Sequence, residues 1–260
     1  NFRNMAMNKL EINNIYKPSR RIMVGSLVMI SIGVLSAIIA FITDAHAAWT
    51  NLLFNNYFFL GISLFAVFFV ALQYVAEAGW STVLKRVPEA IMTFLPYTAG
   101  IMLFIVITAV LHFGGNHIYH WLEPGIMTEG SYNYDYIIAG KEAYLNSTFF
   151  LIRSFLYVII WVYCARRLRQ ISLDGDKEGI IGEKSYWKGL RVSGWFIVLF
   201  AVTSSTAAWD WIMSIDTHWY STLFGWYIFS EWATIGFASI LLLTLLLNRQ
   251  GYLKHLNFSK

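Results

Sequence analysis

The chain has 260 residues, of which 57% are hydrophobic, 18% aromatic and 13% charged, with a formal net charge of +4. Soluble domains carry nearer ~25% charged residues, so a mean hydropathy of +0.54 and this charge content exclude an ordinary soluble domain. A sequence pI of 9.1 is compatible with nucleic-acid binding by its value alone, but the placing of the basic residues along the chain excludes that reading and any partnership with nucleic acid.

Residues 1–21 are polar and basic and read as a cytoplasmic segment lying along the membrane surface. Residues 22–247 read as an all-α, polytopic transmembrane helix bundle. Its six spans fall at about 22–42, 57–78, 90–112, 146–165, 192–211 and 219–247. Each is close to the ~20 apolar residues that a helix needs to cross a bilayer core. Residues 248–260 read as a cytoplasmic carboxyl-terminal segment. Arg20-Arg21, the apolar run and Ala45-His46-Ala47 imitate a signal peptide. The run is long for one and Asp44 lies beside the cut site, so an uncleaved anchor is expected.

The basic residues alternate by loop. Arg3, Lys9, Lys17, Arg20 and Arg21 precede the first span, and Lys85 and Arg86 follow the second. Arg166, Arg167, Arg169, Lys177, Lys184, Lys188 and Arg191 lie between the fourth and fifth, and Arg249, Lys254 and Lys260 follow the sixth. The opposite loops hold Lys141 alone. This positive-inside pattern puts both ends in the cytoplasm, and the net charge then reports topology and contact with anionic membrane lipids. The single cysteine, Cys164, excludes a disulfide or a cysteine-based metal or iron–sulfur site within the chain.

Between the spans, an Asn-rich turn over 51–56 is expected at the outer interface. In the second span Gln73 and Glu77 are four apart and share a helical face. Pro96, with Gly100 beyond it, is expected to kink the third span. The outer loop, about 113–145, carries Glu123, Glu129, Asp135 and Glu142 beside Tyr119, Tyr132, Tyr134, Tyr136, Tyr144 and Trp121. It suits either a docking surface for another protein or a lid over the helix ends.

Ionisable groups within apolar spans are costly and therefore functional candidates. Asp44, His46, His112, Asp210, Asp216 and His218 fall at helix ends on the outer side, where carboxylates and imidazoles can pass protons or merely cap helices. Glu231 lies about 12 Å into the sixth span at 1.5 Å per residue, and Arg153 a similar distance into the fourth. They either form a structural ion pair or line a polar half-path. Glu77, with Gln73, Tyr74, Ser81 and Thr82, is the candidate proton entrance on the inner side. His46 and His112 have the depth for a diheme cytochrome b but lie outside the spans. His112, His117 and His120 are a weak metal signal, and no nucleotide or zinc-protease motif is present.

Two elements are distinctive. One is Tyr74-Val75-Ala76-Glu77-Ala78-Gly79-Trp80-Ser81, leading into Lys85-Arg86-Val87-Pro88-Glu89-Ala90. The other is Ser204-Ser205-Thr206-Ala207-Ala208-Trp209-Asp210-Trp211, continuing through Ile215-Asp216 and His218-Trp219-Tyr220 to Gly225-Trp226-Tyr227. With these motifs the chain, from about Lys17 onward, resembles the second NrfD-like (polysulfide-reductase-C-like) membrane subunit, the ActF type, of bacterial alternative complex III.

That resemblance implies a cofactor-free subunit in the bacterial cytoplasmic (inner) membrane, not catalytic alone, within a quinol:cytochrome c or oxidase oxidoreductase. Haems c and iron–sulfur clusters belong to partner subunits, and quinol to the paralogous NrfD-like subunit. The implied partners are that paralogue, the iron–sulfur subunit, the multihaem cytochrome c and a terminal oxidase. The implied role is scaffold and proton half-channels, with Glu77, Asp210, Asp216 and His218 inside the matching motifs. Family members continue with further spans, so the chain reads as truncated after the position of His255-Leu256-Asn257. A secondary transporter or ion-conducting subunit is the alternative function.

Overall fold

The computed structural model describes Tyr16, residues 18–178 and residues 183–253. The amino-terminal segment up to residue 15, Gly179, Gly182 and residues 254–260 lie outside the described residues. The described residues form an all-α bundle with no strand among them. In chain order the helices are α1 (Arg20–Thr43), α2 (Ala45–Val75), α3 (Arg86–Met92), α4 (Leu95–Val110), the single turn α5 (Tyr136–Ala139), α6 (Ser147–Glu178), α7 (Glu183–Trp211) and α8 (Phe224–Arg249). Six helical segments are long and apolar enough to cross a membrane, α3 and α4 together making the third.

The second helix starts twelve residues earlier than its apolar run suggests, at Ala45 rather than Tyr57. Asp44 explains the abrupt join: its backbone amide closes α1 on Ala40, and its side chain accepts from the Ala47 amide as the N-cap of α2. The expected turn at 51–56 is therefore helix. Asn51 and Asn55 donate to the carbonyls of Ala47 and Asn51 at 2.8 Å, and Asn56 donates across to Thr98 of α4 at 3.1 Å. These amides satisfy themselves on the helix instead of breaking it.

The third span is interrupted at Thr93 and Phe94, just before Pro96, while both residues keep right-handed helical dihedrals. Α3 ends at Met92, and Pro96 lies in the first turn of α4, where its missing N–H costs nothing. At the carboxyl end of α2, Glu77 takes a left-handed backbone at φ 50°, a position that favours glycine. The amide of Ala78 bonds Gln73 O and that of Glu77 bonds Tyr74 O, the pair of bonds that closes a Schellman cap. So Gln73 and Glu77 do not share a helical face; the helix has ended between them. His112 is left-handed in the same position after α4.

Helix α2 is the hub, packed by α1, α3, α4, α7 and α8, while α6 joins α4 to α7. No residue of α1 is buried. Ion pairs join the segment after α2 to the end of α6, so these gather at one end, called here the basic end. Trp49, Gly114, Asp135, Lys141, Thr217 and His218 meet at the other, the loop end. The loop itself is a lid: Ile118, Tyr119, Trp121, Ile126 and Ile138 are buried against the bundle, with Tyr132 and Tyr136 left outside.

Small residues let α2 and α8 approach. A Cβ added at Gly236 would fall 2.1 Å from Phe65 Cδ1, and one at Gly61 would fall 2.1 Å from Trp232 Cδ1. Gly236→Ala is therefore expected to lower stability by ~1–3 kcal/mol through overpacking. Gly100→Ala, whose Cβ meets open space, is expected to be close to neutral. Thermal unfolding of both variants in detergent checks the contrast.

Candidate functional site: two polar clusters and an aromatic layer

Arg153 and Asp210 meet inside the loop-end half of the bundle. Arg153 Nε donates to Asp210 Oδ2 and Nη2 to Oδ1, both at 2.8 Å. This two-point fork fixes both side chains. Tyr157 donates to Asp210 Oδ2 at 2.8 Å, and Arg153 Nη1 to Tyr144 O at 3.1 Å. The guanidinium lies 3.9 Å from the Tyr144 ring centre and 4.2 Å from that of Phe149, so cation–π attraction adds to the pairing. The Asp210 side chain is fully buried.

The partner of Arg153 is thus Asp210, and the expected pair with Glu231 is corrected. Position decides it. Asp210 faces α6 from the last turn of α7, whereas Glu231 lies on the exposed side of α8 between exposed Ser230 and buried Trp232.

Supporting bonds surround the pair. Trp211 Nε1 donates to Ser154 at 3.0 Å, Ser214 donates to Asp210 O at 2.5 Å, and Tyr119 donates to Trp211 O at 3.0 Å. Burial, with the Asp210 charge beside them, pushes the Tyr119 and Tyr144 hydroxyls well above the usual tyrosine range. Both stay protonated. Deeper in the bundle, apart from this network, Trp161 Nε1 donates to Thr203 at 2.8 Å and Thr203 to Leu199 O at 2.7 Å.

Beyond Thr203 comes a layer of phenylalanines. Phe200 stacks with Phe196 and lies 5.1 Å from Phe68, which lies 5.2 Å from Phe229. Phe65 and Phe237 meet at 4.8 Å. Ten residues of α7, or ~15 Å of helix, separate Thr203 from Ser193, a buried hydroxyl without a bonding partner among the described residues.

The second cluster lies at the basic end. Gln73, Tyr74, Glu77, Ser81, Thr82 and Lys85 line one cavity of about 150 Å³, with Phe69 and Tyr186 among its walls. Lys85 Nζ donates to the Tyr74 hydroxyl at 2.7 Å. Gln73 Oε1 is buried with no partner among the described residues. Gly189 makes room for Tyr74, since a Cβ there would lie 2.6 Å from its ring. The expected inner grouping of Gln73, Tyr74 and Glu77 is therefore a physical cavity.

Sequence reasoning missed Glu89. Its side chain is fully buried, 2.6 Å from both Arg86 Nη1 and Arg169 Nη1 and 3.8 Å from Lys85 Nζ. Arg86 also pairs with Asp176 and donates to Ser172 at 3.2 Å. Next to Lys85 and Arg86, Glu89 reads as an ordinary loop charge. The signal for it was the spacing of three and four residues, which on a helical turn aims all three side chains at one another.

The outer candidates do not form one cluster. Among the described residues no hydrogen bond or ion pair joins Asp44, His112, Asp210 and Glu231. Asp44 caps α2, and Asp216 accepts from the His218 amide at 3.2 Å. His46 is exposed. His112 stacks on His117 at 5.5 Å, while His120 pairs with Glu123 at 3.1 Å. His218 Nε2 meets Asp135 Oδ2 at 2.7 Å, pinning the lid to the turn before α8.

Partial burial raises the Asp135 carboxyl, but amide bonds from Ile138 and Ile137 and the His218 contact outweigh it and hold it below 3.8. A depressed folded-state pKa stabilises above the unfolded value and is lost as pH falls through the folded one. The lid contact is expected to persist from neutral pH down to about 4 and to weaken below it. Hydrogen exchange of the Ile137 and Ile138 amides against pH measures this.

The chain matches no known family model and no curated protein. The six long apolar helices make it a candidate multi-pass membrane protein.

Proposed function

We propose that the chain is a cofactor-free membrane subunit of a quinol-oxidising respiratory complex of the alternative complex III type, in the bacterial cytoplasmic membrane with its basic end inside. In this reading it scaffolds the complex and carries two proton half-paths. The supporting observation is the division of its polar interior. Gln73, Tyr74, Glu77 and Lys85 line a cavity at one end, Asp210, Arg153 and Tyr157 form a network at the other, and a layer of phenylalanines lies between. A continuous water wire would short-circuit a proton gradient, so coupling needs such a break.

Two further features support the reading. Glu77 occupies a backbone conformation that costs a non-glycine residue ~1–2 kcal/mol, and it directs a carboxylate to the cavity in return. Glu231 lies about 10 Å along α8 from its start, on a face shared with exposed Ser230 and Thr234. A carboxylate facing lipid at that depth costs roughly 2.5–3.5 kcal/mol, so a neighbouring protein surface covering it relieves the cost. The paralogous NrfD-like subunit is the proposed neighbour. The iron–sulfur subunit, the multihaem cytochrome c and a terminal oxidase complete the set, and they and the paralogue hold the clusters, haems and quinol.

The alternative, a secondary transporter or ion-conducting subunit, is favoured by one observation, the cavity beside Glu77 with a Gln73 oxygen that has no partner among the described residues. Substitution in the assembled complex in liposomes separates the two. Glu77→Gln is expected to abolish quinol-driven proton movement while assembly is kept. Glu231→Gln is expected to weaken contact with the neighbouring subunit. Unchanged proton movement and turnover in Glu77→Gln would remove the cavity from the path.

A further inference from the structure

The break between α3 and α4 leaves a groove against α6 at the basic end. It has two lobes, of about 450 and 540 Å³, which share Pro96, Arg166 and Gln170. The first is walled by Gly100, Val158, Ile159 and Val162, the second by Met92 and Leu173. Gly100 lines the first lobe, and a Cβ there would project into open space.

The rim is basic where the walls are apolar. Arg166 lies nineteen residues into α6, or ~28 Å along it, which is close to the thickness of a bilayer's hydrocarbon core. For a helix that enters the hydrocarbon core at Ser147, that is the level of lipid phosphates. Arg166 is exposed and has no hydrogen bond or ion pair among the described residues. Arg167 bonds only Gln170, at 3.3 Å, whereas Arg169 is already held by Glu89. Tyr97 and Tyr163 are exposed beside these groups, in the place where amphipathic rings settle at a membrane interface.

We infer that this groove binds an anionic phospholipid, its phosphate on Arg166 and Arg167 and its acyl chains along the α4–α6 walls. Charge complementarity selects the occupant: two guanidinium groups, free of acidic partners among the described residues, lie over apolar lobes. A basic pocket between membrane helices at the cytoplasmic level is the chemistry that holds acidic headgroups. A zwitterionic lipid offers the same chains without net charge and binds less well.

The test is native mass spectrometry of the full chain, or of the complex containing it, extracted from bilayers of equal phosphatidylglycerol and phosphatidylcholine. The wild type is expected to retain phosphatidylglycerol in preference. Joint Arg166→Gln and Arg167→Gln substitution is expected to cut that retention by about thirtyfold, two surface cations' worth. Gly100→Phe, which fills a lobe without altering charge, is expected to lower retention of either lipid, and Arg249→Gln to leave it alone. Circular dichroism confirms that each variant is folded. Equal retention of both lipids by the wild type, or undiminished phosphatidylglycerol on the double variant, overturns the proposal. So does displacement by millimolar inorganic phosphate, which would make the arginines a free-anion site.

Discussion

Asp210→Ala is expected to be among the two most destabilising single substitutions in the chain. The change strands Arg153 among Tyr144, Phe149 and Tyr157 with its charge unpaired. Removing one partner of a buried ion pair costs roughly 3–5 kcal/mol, and the Tyr157 hydroxyl loses its acceptor as well. Asp210→Asn keeps the shape and one acceptor but not the charge, and is expected to cost less. The joint Arg153→Met and Asp210→Leu change is expected to cost least of the three, because no charge is left behind. Thermal unfolding of the three variants in detergent gives the ordering. Equal effects of Asp210→Ala and the joint change would show that the pair is not the source of the stability.

Glu89→Ala is the second large effect expected. Glu89 is the shared acceptor of Arg86 and Arg169, with Lys85 at the edge. Without it three cations face one another, and Arg86 keeps only Asp176 and Ser172. The loss is expected to be comparable to that at Asp210, about 3 kcal/mol, and to appear as opening of the basic end. Protease sensitivity of the segment after α2 reads that opening directly. Glu89→Gln, which retains an acceptor but no charge, is expected to fall between the wild type and Glu89→Ala. A Glu89→Ala variant as stable as the wild type would mean that the cluster is held by packing alone.

The spans and the gathering of basic loops at one end were legible in the sequence, because charge-free length is a direct consequence of what lipid tolerates. Helix ends were less so. An apolar window cannot see that Asp44 caps two helices at once, or that Asn51 and Asn55 can turn their amides back onto their own helix. Pro96 marks the interruption of the third span, which falls at Thr93 and Phe94 just before it.

The site was half legible. Gln73, Tyr74 and Glu77 were grouped correctly, although a left-handed cap rather than a helical face brings Glu77 to the cavity. Arg153 and Asp210 were both singled out, but their pairing was not, since depth along two helices says nothing about the direction each side chain faces. Glu231 lies on the exposed side of α8, away from Arg153. Glu89 was hidden by its neighbours, because a carboxylate beside two cations looks solvated until Arg169, eighty residues away, is brought against it.

Purification of the chain from native membranes in mild detergent tests the functional account most directly, with the co-purifying polypeptides identified and the visible spectrum recorded. The account predicts a stable assembly containing a multihaem cytochrome c, an iron–sulfur subunit and a second, related membrane subunit. It also predicts quinol-dependent reduction of cytochrome c by that assembly, and no haem absorbance on this chain once it is separated. A chain that purifies alone and moves a solute or an ion without quinol, or that carries haem itself, would contradict it.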